Sequence, residues 1–162
     1  MILDLAAKAL PASIERRASE AGSGTPQNVV EDKAGEEMIV GLGNDILEVP
    51  RMKRELGKSG SAFKRQIFTP SEIDYCEKKR YPERHFAARF AAKEAMFKAL
   101  AKGRQSDLEW RDVEIQNDEN GQPHVILHGA ARGLARNKHA RRILVSLAHT
   151  RQWAMASIVL ES

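Results

Sequence analysis

The chain has 162 residues with 26 Lys and Arg against 22 Asp and Glu, a formal net charge of +4, and no apolar run near the roughly 18 residues of a membrane span, which predicts a soluble protein with one main domain. Its one cysteine, Cys76, excludes an intramolecular disulfide and a cysteine-based zinc site, and makes a reducing, cytoplasmic setting the expectation. Residues 1–37 hold seven acids and four bases, which leaves residues 38–162 at about +7 and points that body toward nucleic acid, a phosphorylated cofactor or an acidic protein.

Residues 2–20 read as a short amphipathic helix broken near Pro11, and 21–37 as a flexible linker with an acidic end. There is neither a basic start with a long apolar core nor an acid-poor presequence, so no targeting segment is expected. Met38 would serve equally well as a start, and residues 1–37 are read as an extension outside a domain spanning 38–162. That domain opens with the apolar run Met38 to Ile46, a strand in which Gly41, Gly43 and Asp45 share one face. Two residues without side chains leave space beside a carboxylate. Asp45 either caps the next helix, with Glu48 completing a capping box, or acts as a ligand.

Glu48 to Lys58 reads as a basic helix with Val49, Met52 and Leu56 on its apolar stripe, and Arg51, Arg54 and Lys58 pointing elsewhere. With Lys64 and Arg65 nearby, this is the densest positive surface. Thr69-Pro70-Ser71-Glu72 has the cap, the N1 proline and the acid of a helix start, for a helix running to Lys79.

His85 to Leu100 lacks Gly and Pro and is dense in Ala, Phe, Met, Lys and Glu, which predicts a central helix of about four turns. Phe86, Phe90 and Phe97 form one stripe, and Ala88, Ala92, Ala95 and Ala99 form a smooth stripe nearly opposite. Glu94 falls among the phenylalanines. A carboxylate there must neutralise, pair, snorkel out or bind a metal, because an unpaired buried charge costs several kcal/mol. Pairing with Lys98 at i,i+4 is the ordinary outcome. A metal site is the alternative, since Arg89, Lys93 and Lys98 alongside would suit phosphate oxygens held next to a divalent cation.

Residues 103–107 follow as a polar loop. Val113 and Ile115, a turn at 117–121, then Val125 and Leu127 make a hairpin. A short helix over 129–137 precedes a second hairpin, Ile143 to Ala148 and Trp153 to Leu160. The class is α+β, with early helices packed on a late antiparallel sheet.

Three stretches now coincide: Gly41-Leu42-Gly43-Asn44-Asp45-Ile46-Leu47-Glu48, then Arg89-Phe90-Ala91-Ala92-Lys93-Glu94-Ala95 with Lys98-Ala99-Leu100, then Ser146-Leu147-Ala148-His149-Thr150. Together they closely resemble the holo-acyl-carrier-protein synthases, the short 4'-phosphopantetheinyl transferases, over residues 38–160. The resemblance implies that fold and transfer of the 4'-phosphopantetheine arm from coenzyme A to a serine of an apo acyl carrier protein, with adenosine 3',5'-bisphosphate released. It implies Asp45 and Glu94 as ligands of Mg2+ (or Mn2+) on the coenzyme diphosphate, the two acids that the residue pattern flags by itself.

Lys98 and Lys93, with Arg89 flanking, are then expected at the diphosphate or leaving group. The serine proton would go to a metal-bound water, Glu94 or His149. Ser146, His149 and Thr150 match the segment that contacts the coenzyme's 3'-phosphate and adenosine. Strand alternation puts Ser146 and His149 on opposite faces unless the strand ends or bulges between them. Two departures stand out: the family often has Ser at Ala148 and Gly at Ala101.

The resemblance further implies a homotrimer with active sites shared between neighbours, for which the alanine stripe offers a packing surface. It also implies docking of the acidic carrier on the early basic helix, through Arg51, Arg54, Lys58 and Lys64. The competing expectations are a non-enzymatic basic module binding RNA or another polyanion, and a subunit of the same fold that only binds coenzyme A or carrier. Trp110, Trp153, Phe63 and Phe68 are scattered rather than interleaved with basic residues on one strand, so no nucleic-acid platform is expected.

Overall fold

The computed structural model describes residues 38–100 and 108–162, with the side chain of Ser59 excepted. The helix and linker expected within 1–37, the loop 103–107 and position 101 lie outside the described residues.

Strand β1 (Ile39–Glu48) runs antiparallel to β5 (Trp153–Glu161), which also pairs with β4 (Arg142–His149), giving the sheet order β1-β5-β4. The late hairpin is therefore completed by the first described strand, with Asp45 opposite Ala156 and His149 opposite Ala154. A separate hairpin joins β2 (Val113–Asn117) to β3 (Pro123–Leu127). Asp118 closes its turn, its Oδ1 accepting from the backbone N–H groups of Asn120 and Gln122 at 2.9 and 2.8 Å.

Helix α1 spans Val49–Ile67, α2 Pro70–Glu77, α3 Pro82–Leu100 and α4 Gly129–Asn137. The first turns out longer than its basic segment and is broken at Gly60, whose φ of 48° no β-branched residue would tolerate. Val49, Met52, Phe63 and Ile67 bury its apolar side. Its N-cap is Glu48 with no side-chain cap bond, so the capping-box reading of Asp45 and Glu48 is not realised: Asp45 stays in the strand. At α2 the expected box does form. Thr69 Oγ1 accepts from Glu72 N, and Glu72 Oε2 accepts from Thr69 N at 2.8 Å.

The central helix α3 begins at Pro82, three residues before the expected start, and lies across the inner face of the sheet. Ala88, Ala92, Ala95 and Ala99 are buried. A Cβ at Gly43 would run into the Ala95 carbonyl oxygen, and one at Gly41 would stand 2.6 Å from the Ala99 carbonyl oxygen. The glycines of β1 thus admit the helix backbone itself, and the alanine stripe packs within the chain. On the other side Phe86 meets Phe68 at 4.9 Å, and Trp110 stacks on Phe90 at 4.8 Å and leans on Phe97 at 5.1 Å.

The outer face of the sheet is left apolar and exposed: Leu42 and Ile46 on β1, Trp153 and Met155 on β5, Leu144 on β4. No helix among the described residues is long and apolar enough to cross a membrane.

Candidate active site

Asp45 faces inward from β1 beside the point where glycine lets α3 come closest. Lys98, in the last turn of α3, reaches back across that contact, its Nζ donating to Asp45 Oδ1 at 2.8 Å and to the Asn44 carbonyl oxygen at 2.9 Å. Glu94 stands one turn earlier on the same helix. Burial, reinforced by the negative charge of Asp45, pushes its carboxyl above the usual range, and Lys98 only partly offsets this. Lys98 therefore pairs with Asp45, not with Glu94 as i,i+4 spacing suggests. Among the described residues no hydrogen bond or ion pair holds the Glu94 carboxylate.

Two neighbouring carboxylates and a single ammonium form a hard-oxygen donor set with surplus negative charge. Mg2+ suits such a set, because it takes one or two carboxylates and completes its shell with water and phosphate oxygens. No cluster of three or more His, Cys, Asp or Glu suited to a metal occurs among the described residues. Among the described residues the pair Asp45 and Glu94 is the donor set at this place.

Lys93 is placed differently from its expected role at the diphosphate. Its side chain is fully buried, paired with Glu72 at 2.8 Å and donating to the carbonyl oxygens of Trp110 and Val113. Glu72 in turn accepts from Ile115 N at 3.0 Å. The ammonium ties α3 to α2 and to β2, so it cannot reach a ligand in solvent. Arg89 is also buried, with Nη2 donating to Asn117 Oδ1 at 2.6 Å and its guanidinium 4.0 Å over the Tyr75 ring. Its Nε has no partner among the described residues, and the buried guanidinium is not open to solvent as the expected diphosphate role asks.

The segment after Val145 is split. Pairing of β4 with β5 stays regular through His149, so no bulge reunites Ser146 and His149. Ser146 faces outward with Leu144, whereas His149 turns toward α3 and meets His85, ring centroids 5.1 Å apart. Thr150 forms the turn, its Oγ1 accepting from the backbone of Gln152 at 3.1 Å and Trp153 at 3.0 Å. The expected joint site of Ser146, His149 and Thr150 is not assembled within one chain. Ala148 lies on the outer face and leaves His149 untouched.

On α1, Arg54 and Lys58 are exposed and Arg51 is half-buried. Lys58 has only a loose pairing with Glu55 at 3.9 Å. Lys64 lies past the Gly60 break, bonded to Glu77 at 2.7 Å and set over the Phe86 ring. It works as a clip between α1 and α2.

His85, the residue in ring contact with His149, was passed over by sequence reasoning. It opens the predicted helix, but its partner is 64 positions away, and no local spacing joins them.

The model of the 4'-phosphopantetheinyl transferase superfamily matches residues 41–156. Among curated proteins, the chain is 43% identical over 124 residues to a holo-[acyl-carrier-protein] synthase of Koribacter versatilis, covering 76% of this chain and 99% of that one. A second, from Geotalea daltonii, is 40% identical over the same shares. In structure it is similar to a holo-[acyl-carrier-protein] synthase of Neisseria meningitidis, with a TM-score of 0.70 and 31% identity over 77% of this chain and 100% of that one. It is also similar to the Bacillus anthracis enzyme in complex with coenzyme A (3',5'-ADP), with a TM-score of 0.63 and 33% identity over 77% and 98%. The chain thus belongs to the 4'-phosphopantetheinyl transferase superfamily.

Proposed function

We propose that the protein is a holo-acyl-carrier-protein synthase, moving 4'-phosphopantetheine from coenzyme A to a serine hydroxyl of an apo acyl carrier protein. The serine oxygen forms a bond to the β-phosphorus of the coenzyme diphosphate. The bond from that phosphorus to the bridging oxygen breaks, and adenosine 3',5'-bisphosphate leaves. The observation that carries this is the meeting of Asp45, Glu94 and Lys98 across β1 and α3 in a chain of this family. Mg2+ (or Mn2+) held by Asp45 and Glu94 would supply charge neutralisation on the diphosphate. Lys98 is within reach of the same position and is assigned to the diphosphate or the leaving group. Glu94 and His149 are the side chains assigned to moving the serine proton.

The homotrimer with shared active sites is part of this proposal, on different support from the alanine stripe. Asp45 and His149 lie on the two edge strands, with β5 between them and α3 packed against the inner face. One coenzyme touching both within a chain would have to pass a helix whose backbone is in contact with β1. A neighbour that brings its own β4 edge to this β1 edge removes the obstacle, and the exposed apolar outer face, with Ser146 on it, offers such a neighbour a surface. The carrier is assigned to Arg51, Arg54 and Lys58 on α1, and Lys64 contributes less because Glu77 occupies it.

The test is incubation with apo carrier protein, coenzyme A and Mg2+, followed by mass spectrometry of the carrier for added phosphopantetheine. Turnover that survives Glu94→Gln or Asp45→Asn unchanged refutes the assignment of the acids. A polyanion-binding module would give no mass change in wild type. Of the aromatics it would use for stacking, Phe63, Phe68 and Trp110 are committed to internal packing and Trp153 alone of the four stands exposed.

A further inference from the structure

Three rings from three elements meet at the edge of the sheet remote from Asp45. Tyr75 of α2 contacts His85 of α3, centroids 6.0 Å apart at 73°, and His85 contacts His149 at the end of β4, 5.1 Å apart at 73°. Both are edge-to-face arrangements, in which the positive rim of one ring meets the π-face of the next. Lys79 Nζ stands 4.1 Å and the Arg89 guanidinium 4.0 Å from the Tyr75 centroid, so cations hold the far end of the row. His149 is exposed and would otherwise be a free rotor at a strand end, whereas His85 is half-buried. The row converts an exposed side chain into one of fixed direction.

We propose that His85 is the positioning residue for His149: a ring clamped between Tyr75 and His149 that fixes the His149 imidazole for the coenzyme. This rests on the assignment of His149 to coenzyme A. His85 itself is unsuited to carrying charge. Burial, then His149, Arg89, Lys79 and Arg84, all act against its protonation and hold its pKa down at about 4, so at neutral pH it is an uncharged ring. Among the described residues these groups face it from α2's C-terminal side, from α3 and from β4, together with the Tyr75 ring of α2.

An edge-to-face contact of this kind shifts a binding equilibrium by about 2- to 10-fold. The expectation is that His85→Ala raises KM for coenzyme A by that factor, with KM for the carrier within about twofold. His85→Phe, which keeps the ring and loses the titration, restores the wild-type KM. Because both side chains act through one contact, His149→Ala costs less in the His85→Ala background than alone. The His149 Cε1–H proton resonance gives a readout without turnover: loss of the neighbouring ring moves it in His85→Ala. Should His85→Ala fail to fold, His85→Leu takes its place.

An unchanged coenzyme KM in His85→Ala, no rescue by Phe, or fully additive effects would each overturn the proposal while His149→Ala still raises KM. If His149→Ala itself leaves KM for coenzyme A unchanged, the assignment of His149 fails first and takes this proposal with it.

Discussion

Lys98 Nζ lies 2.8 Å from Asp45 Oδ1 and bridges the last turn of α3 to the inner face of β1, while Glu94, one turn earlier, is left with carboxyl oxygens unclaimed among the described residues. An ammonium thus stands on one of the two acids that a divalent ion would use. Lys98→Gln is expected to lower kcat by about 10- to 100-fold, as loss of a charge-stabilising donor does. The same variant should bind Mn2+ more tightly, because the competing cation is gone. Steady-state kinetics and electron paramagnetic resonance of added Mn2+ check the two effects.

Gly43→Ala should be among the most damaging single-methyl changes in the molecule. Its Cβ meets a helix carbonyl that cannot rotate away, so β1 and α3 must separate. A loss of about 1–3 kcal/mol by urea unfolding is expected, with loss of turnover beyond it, because the same contact sets Asp45 beside Glu94.

Lys93→Met tests the corrected place of Lys93. It leaves Glu72 charged and buried without its ammonium, a change that costs about 3–5 kcal/mol. The expected signature is a fall in Tm with no selective rise in KM for coenzyme A. A coenzyme-specific defect in a protein of unchanged stability would restore Lys93 to the site.

Acid stability should report on Glu114. Burial would raise its carboxyl, but hydrogen bonds from Gln116, His128, Thr69 and Ser71 outweigh this and hold it below the ordinary value of 4.5. A depressed folded pKa stabilises fully above the unfolded value, and that contribution is lost as pH falls below about 4.5 and through the folded pKa. Glu114→Gln should therefore flatten the dependence of Tm on pH below about 4.5, with less stability than wild type at pH 7.

Sharing of the site between copies predicts complementation. Glu94→Gln and His149→Ala, each impaired alone, should regain turnover when co-refolded, because some mixed assemblies then contain a site with both residues intact. Equal mixtures with no more activity than the sum of the separate variants count against shared sites.

The chemistry was more legible in the sequence than the neighbourhood of each residue. Asp45 and Glu94 announce themselves because a carboxylate beside glycines, or among phenylalanines, contradicts local burial. Thr69 with Glu72 was legible too, since a capping box is local. Lys93 misled because a lysine next to a ligand-like acid looks equally suited to phosphate and to a buried pair. Its partner, Glu72, lies on another helix, and helical periodicity says nothing about which charge is met there. The alanine stripe was legible as a packing surface but not as to its partner, which proved to be the glycine face of β1. The contact of His85 with His149 depends on β4 coming alongside α3, a tertiary fact without a local signature.

In the described sheet β1 has one hydrogen-bonded neighbour, β5, and Met38 and Ser162 clasp the end of that pairing across 124 positions of sequence. During synthesis β1 leaves the ribosome early and must wait, with its glycines open, for a partner made more than a hundred residues later. Helices α1 to α3 can form in the interval from local contacts, but closing so long a loop comes at the end. Catalytic competence is therefore acquired in one late zippering event, and a ribosome stalled before Trp153 would hold a nascent chain with its helices formed and no enzyme.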